Sequence, residues 1–191
     1  MGVSRMRVRL FALAVAALLF AAPSTTAQAA NPEEIVLRYF ESIQAGDWEE
    51  AARYLDPEEL AVFKGMMLSL FEAEEGGELL LAVFGEGTTV EDLRDATAGE
   101  LFARIMDFYS LFLFEPVSAG FDSIQVLGSV PEGEGAVHVV TRMWMHVQGV
   151  PVNSVEVITL RRGSSGWFIA FEEELSGMIR VFESVLSGAL E

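Results

Sequence analysis

Cysteine is absent from this chain of 191 residues. No disulfide, no thiolate nucleophile and no cysteine metal ligand can be built from it, so packing alone must hold the fold. Lipid attachment at a cysteine is excluded for the same reason. Histidine is nearly absent, with only His138 and His146. Basic residues are scarce as well: 12 stand against 29 acidic ones, for a formal net charge of −17. Nucleic-acid binding needs clustered cations facing phosphate, and no such cluster exists here. Anionic lipid surfaces repel a chain of this sign. After residue 22 no apolar run approaches the ~20 residues that a membrane-crossing helix needs.

The one long apolar run is at the start. Arg5, Arg7 and Arg9 precede Leu10–Ala22 (LFALAVAALLFAA), and Pro23–Gln28 leads to Ala27-Gln28-Ala29. A positive start, an apolar run too short to span a bilayer and a small-x-small site define a secretory signal peptide, residues 1–29, cut after Ala29. No adjacent arginine pair points to twin-arginine export. The expected destination is the periplasm or the exterior, by the general secretory route. Residues 30–191 then suit one domain with a hydrophobic core of its own.

The first part of that domain has helical period. Pro32 and two glutamates open a helix whose stripe is Ile35, Val36, Tyr39, Phe40 and Ile43, ended by Gly46. Asp47 caps a second helix with Trp48, Ala51, Ala52 and Leu55 on its buried side. Asp56 caps a third, burying Leu60, Phe63, Met66, Met67, Leu70 and Phe71. Glu72–Glu78 (EAEEGGE) reads as an exposed hinge, and Leu79–Phe84 as a short helix. Thr89 and Thr97 read as further N-caps, the latter with Glu100 as partner, before a helix over Ala98–Phe114 stopped by Pro116.

Beyond Pro116 the period changes from 3.6 to 2. Strands are expected over Phe121–Val130, Ala136–Gln148, Val152–Arg162 and Trp167–Glu172, with turns between them. A last amphipathic helix covers about 173–187. Helices first and strands after specify an α+β fold: a curved antiparallel four-stranded meander sheet against N-terminal helices, with the helical part at about 32–114 and the sheet at about 121–172.

AVHVVTRMWMHVQ, residues 136–148, holds both histidines. One face of this strand carries Val137, Val139, Thr141, Met143, Met145 and Val147, the expected core side. The other carries His138, Arg142, Trp144 and His146. With Gly149–Pro151 as the loop, Trp144 would face Glu156, His146 would face Ser154, and Arg142 and Glu156 would form a surface ion pair. Arg142, Trp144, His146 and Glu156 are therefore candidates for an interface with a protein partner or a second copy of the chain, since aromatics and arginine are enriched at interfaces. A metal site on both histidines fails on distance. Eight residues of strand separate them by about 26 Å, whereas ligands of one ion lie within a few ångströms of each other.

No catalytic residue is assigned and no cofactor is implied. The G-x-S-x-G, H-E-x-x-H, Walker and calcium-loop patterns are missing. The carboxylates sit mainly in caps, first turns and loops. The helix ending DFYSLFLF (107–114) is apolar nearly all round, which suggests burial on more than one side. A pocket for an apolar small molecule between that helix and the sheet would be lined by Met106, Tyr109, Phe112, Met143, Met145 and Trp167, with Val155 and Val157 facing the helix. A close-packed core is the alternative.

The stretch NPEEIVLRYFESIQAGDWEEAARYLDPEE, with Gly46-Asp47 between two helices and Trp48 at the entry of the second, resembles the start of nuclear transport factor 2-like domains. AVHVVTRMWMHVQGVPVNSVEVITLRRGSSGWFI resembles their strand meander, in which a tryptophan follows the last hairpin. The resemblance covers about half the chain beyond the leader. It implies a cone in which a curved sheet wraps the helices around an interior used for binding, used for catalysis, or filled. The longer helical section at 60–114 and the final helix depart from its compact members. The final segment, with Leu175-Ser176-Gly177, also resembles periplasmic phospholipid-shuttle proteins, which would make the chain a lipid carrier. Isomerases and cyclases of the first family place an acid or a histidine inside the cone. Here the expected inner strand face is Val, Thr and Met, so the leading expectation is a non-enzymatic domain that binds an apolar small molecule or a protein partner.

Overall fold

A computed structural model describes residues 31–73, 76–113 and 119–171, the side chains of 111–113 and 119–120 excepted. The expected signal peptide and final helix lie outside the described residues. Among the described residues six helices precede four strands. The helices are α1 (Pro32–Ala45), α2 (Trp48–Ala52), α3 (Pro57–Glu72), α4 (Gly76–Phe84), α5 (Val90–Asp95) and α6 (Ala98–Leu113). The strands are β1 (Ala119–Glu132), β2 (Ala136–Val147), β3 (Val150–Gly163) and β4 (Gly166–Ile169), in an antiparallel sheet of order β1-β2-β3-β4. The α+β arrangement expected from the sequence is the arrangement of the described chain. No helix among the described residues is long and apolar enough to cross a membrane.

The helix starts are fixed by short side chains accepting orphan backbone donors. Asn31 accepts from the Glu33 N–H, Asp47 from Glu50, and Asp56 from Glu58 and Glu59. Thr89 and Asp92 exchange both bonds of a capping box, and Thr97 and Glu100 do the same at the head of α6. Gly46 ends α1 in the left-handed conformation, φ 71°.

The segment read as an exposed hinge is exposed at Glu72, Ala73, Gly77 and Glu78 but not at Gly76. Gly76 is buried and begins α4. A Cβ at this position would overlap the carbonyl of Leu70, so glycine here allows two backbones to touch rather than to flex. Met66 is also displaced from its expected burial and is 39% exposed.

One core runs between helices and sheet. Val36, Leu55, Phe63, Met67, Leu93, Leu101, Ile105, Val139 and Leu160 are buried in it. Trp48, Ala51 and Ala103 form a small second cluster where α2 meets α6. Helix α1 lies along β1: Glu33 accepts from the Ser129 hydroxyl at 2.8 Å, Phe40 stacks on Phe121 at 5.3 Å, and Gln44 donates to the Asp122 carbonyl at 3.1 Å. The free edge of β4 is covered by the turn between α2 and α3. Ile169 N–H donates to the Tyr54 carbonyl and Asp56 N–H donates to the Ile169 carbonyl, an added parallel bridge.

Candidate functional site

The sheet's two faces are set by one turn. Gln148 and Gly149 both have positive φ, 53° and 76°, and join Val147 to Val150 directly. This is a two-residue hairpin of the primed kind, whose twist matches that of the flanking strands. Pro151 is not in the loop. It sits in β3 opposite His146, where β3 has β2 as its only neighbouring strand among the described residues, so its missing N–H costs no ladder bond.

The register therefore differs by three residues from the one expected. Trp144 faces Asn153, Arg142 faces Val155, and Glu156 faces Thr141. An odd slip turns every β3 side chain to the other face. Leu160 and Ile158 join the core, and Val155 and Val157 turn out to solvent at 54% and 61% exposure. The expected Arg142–Glu156 ion pair is not formed, because the two residues lie on opposite faces. Val155 and Val157 do not face α6.

Five rungs follow each other on the outer face: His146–Pro151, Ser123–Trp144–Asn153, Gln125–Arg142–Val155, Gly128–Val140–Val157 and Val130–His138–Thr159. None of these positions is a carboxylate, in a chain with 29 acidic residues. Trp144 and Arg142 are half-buried, while Val130, Val155 and Val157 are exposed. The nearby acids are tied down at the two ends. Glu132 meets His138 Nε2 at 2.8 Å, with Thr159 Oγ1 on Nδ1 at 3.0 Å, and Asp122, at a β1 bulge, meets His146 Nδ1 at 2.9 Å. The opening row of histidine, arginine and tryptophan is thus an outer sheet surface with an apolar centre and two polar ends. Sequence reading missed Val155, Val157 and the two carboxylate partners; the signal for the valines was Gln148-Gly149 as turn residues.

On the inner face, burial fades along β2. Val139 and Thr141 are fully buried, Met143 and Met145 are half-buried, and Val147 is 37% exposed. Ser154 lies opposite Met143, and its Oγ is buried with no hydrogen-bond partner among the described residues. Met106 and Tyr109 of α6 pack on the main core, and burial raises the Tyr109 pKa above the usual phenol value. The Phe112 side chain lies outside the described ones. Trp167 is elsewhere. It pairs with Arg162 at the β3–β4 hairpin, about 30 Å along the sheet from Met145 at ~3.3 Å per residue. Glu156 shares the inner-face register with Thr141 but is exposed to solvent.

The chemistry on offer is limited. Tyr54 donates to Glu50 at 2.8 Å, and its pKa is raised by burial first and by Glu50 second, which favours the neutral phenol rather than a base. Among the described residues, no group of three or more histidines, aspartates or glutamates is placed to hold a metal ion.

No protein-family model matches the chain, and no curated protein matches it at a significant level. Among solved structures it is similar to one from Campylobacter jejuni described as an NTF2-like transpeptidase, NTF2 being nuclear transport factor 2. The identity is 11%, with 74% of this chain and 98% of that one covered, at a TM-score of 0.36. A likeness at this level says nothing about the chemistry of this chain.

Proposed function

We propose that the chain is an exported, non-enzymatic binding domain, and that it works by docking a protein partner on the outer face of its sheet, first of all a second copy of itself. The acid-free centre of the outer face, between the Glu132–His138 and Asp122–His146 pairs at its ends, carries this reading. Two copies of this acidic chain, whose formal net charge is −17 even with the three leader arginines counted, repel over most of their surface. They meet without that repulsion across a face whose five rungs hold valines, Trp144 and Arg142 and no carboxylate. Exposed valines at the centre and charge pairs at the ends are the layout of an interface core and rim. Light scattering over a range of concentrations tests it. The reading expects a dimer that Trp144→Asp converts to monomer with unchanged circular dichroism. A wild-type chain that stays monomeric at all concentrations contradicts it.

A second reading, an apolar small-molecule carrier, is favoured by Ser154. A buried hydroxyl oxygen without a partner, opposite Met143, is a single polar handle on an otherwise apolar strand face. It suits a hydrophobic guest with one hydroxyl or carbonyl group. A thermal-shift screen against lipids and hydrophobic metabolites, run in parallel on Ser154→Ala, tests it. A hit that the variant loses supports it, and no hit counts against it. The phospholipid-shuttle version predicts phospholipids among the hits. The isomerase or cyclase alternative requires an acid or histidine inside the fold. Among the described residues Glu59 is buried, but its two oxygens are taken by Arg161 and the Phe171 N–H, and Glu156, on the inner-face register, is exposed; both observations argue against that use.

A further inference from the structure

Two hairpin ends and the start of α1 line an open groove of about 510 Å³, away from both faces discussed above. Pro32, Pro131, Trp167 and the buried Val137 line it, together with the exposed Glu134 of the β1–β2 turn. Arg162 lies over the Trp167 ring, 5.6 Å from its centroid, and faces Trp167 directly across the β3–β4 hairpin. The Arg162 backbone is fixed as well, its N–H donating to the Gly135 carbonyl at 2.9 Å. The guanidinium is therefore held on a flat aromatic surface by a cation–π contact while its N–H donors stay open to solvent.

Among the described residues Arg162 shares the lack of an ion pair with Arg104 and Arg142, and what sets it apart is its place over the Trp167 ring. Arg38, Arg53, Arg94 and Arg161 each pair with a glutamate, and Lys64 is bonded to the carbonyls of Arg94 and Ala96. Arg162 forms no ion pair among the described residues, although acids outnumber bases more than two to one. An arginine stacked on tryptophan, in a groove of ligand-binding size lined by two prolines, offers two complementary contacts. The ring and the prolines take a flat apolar body, and the guanidinium fork takes a carboxylate.

We infer that this groove binds a small molecule with a planar apolar body and a single carboxylate. Glu134 in its lining selects against a second negative charge. The probe is 2-naphthoate, titrated into the purified chain while the Trp167 indole N–H is followed by NMR and assigned with Trp167→Phe. The uncharged 2-naphthalenemethanol serves as control. The expected result is a saturable Trp167 shift with naphthoate, at least about tenfold weaker binding of the alcohol, and about a tenfold loss of naphthoate affinity in Arg162→Gln with the alcohol unaffected. Arg162 is exposed, so the variant keeps its core. No Trp167 shift at millimolar naphthoate, equal binding of acid and alcohol, or an unchanged affinity in Arg162→Gln overturns the inference.

Discussion

Glu59, in the first turn of α3, accepts a hydrogen bond from Arg161 of β3, at 2.5 Å and 102 residues away in sequence. Its second oxygen accepts from the Phe171 N–H at 2.6 Å. One buried carboxylate thus ties the helical layer to the sheet and to the chain leaving β4. Glu59→Ala strands the buried Phe171 donor and removes a charge-assisted bond, so it should cost about 1–3 kcal/mol in urea denaturation. Arg161→Ala should cost a comparable amount, because it leaves the buried Glu59 carboxylate, only 12% exposed, without its cation and with the Phe171 N–H as its remaining donor.

The Gln148-Gly149 turn sets the register, and both residues carry positive φ. Gly149→Ala places a Cβ in the left-handed region and should destabilise by about 1 kcal/mol. Gln148→Asn puts a better left-handed residue at the first turn position and should stabilise by a few tenths of a kcal/mol, roughly. Thermal unfolding of the two variants measures both signs.

The capping box at α5 carries a pH signature. Asp92 is held below the usual aspartate value of 3.8 by the Thr89 hydroxyl, and then by the Thr89 backbone N–H. A folded-state pKa below the unfolded one gives stability that is present above the unfolded value and lost as pH falls through the folded one. Glu100 is depressed in the same sense by the Thr97 backbone N–H first. The stability gap between wild type and Asp92→Asn should be flat near neutrality and close below about pH 4. Urea unfolding at pH 7 and pH 3 checks the direction.

Ser154 offers a test on the empty protein. Its buried Oγ has given up water and gained no partner among the described residues. Ser154→Ala should therefore stabilise the ligand-free chain by about 1 kcal/mol. Chemical denaturation of the pair gives the number.

Much of this architecture was legible from residue spacing. Asp47, Asp56, Thr89 and Thr97 mark four helix starts because side-chain caps are local chemistry, whereas the Asn31 cap was not read. The two faces of β2 were also readable, since alternation decides them. What lay beyond reach was pairing between strands. Pro151 read as a turn residue, and only the backbone shows that it occupies an edge position of β3 while Gln148 takes the left-handed turn. That single misassignment placed Val155 and Val157 inside and Glu156 outside. Gly76 read as flexible because close backbone contact leaves no mark in composition. Trp167 was singled out as a pocket residue, but the company of Arg162, Pro32 and Pro131 comes from three separate parts of the chain.

The β2–β3 register underlies both the outer face and the orphaned serine, and the absence of cysteine makes it directly measurable. In the observed pairing Arg142 and Val155 are directly opposite, close enough for a disulfide. Oxidation of Arg142→Cys/Val155→Cys should give an intramolecular bond in high yield, while Arg142→Cys/Ile158→Cys should stay reduced. The reverse pattern would move the valines back into the core and contradict the account.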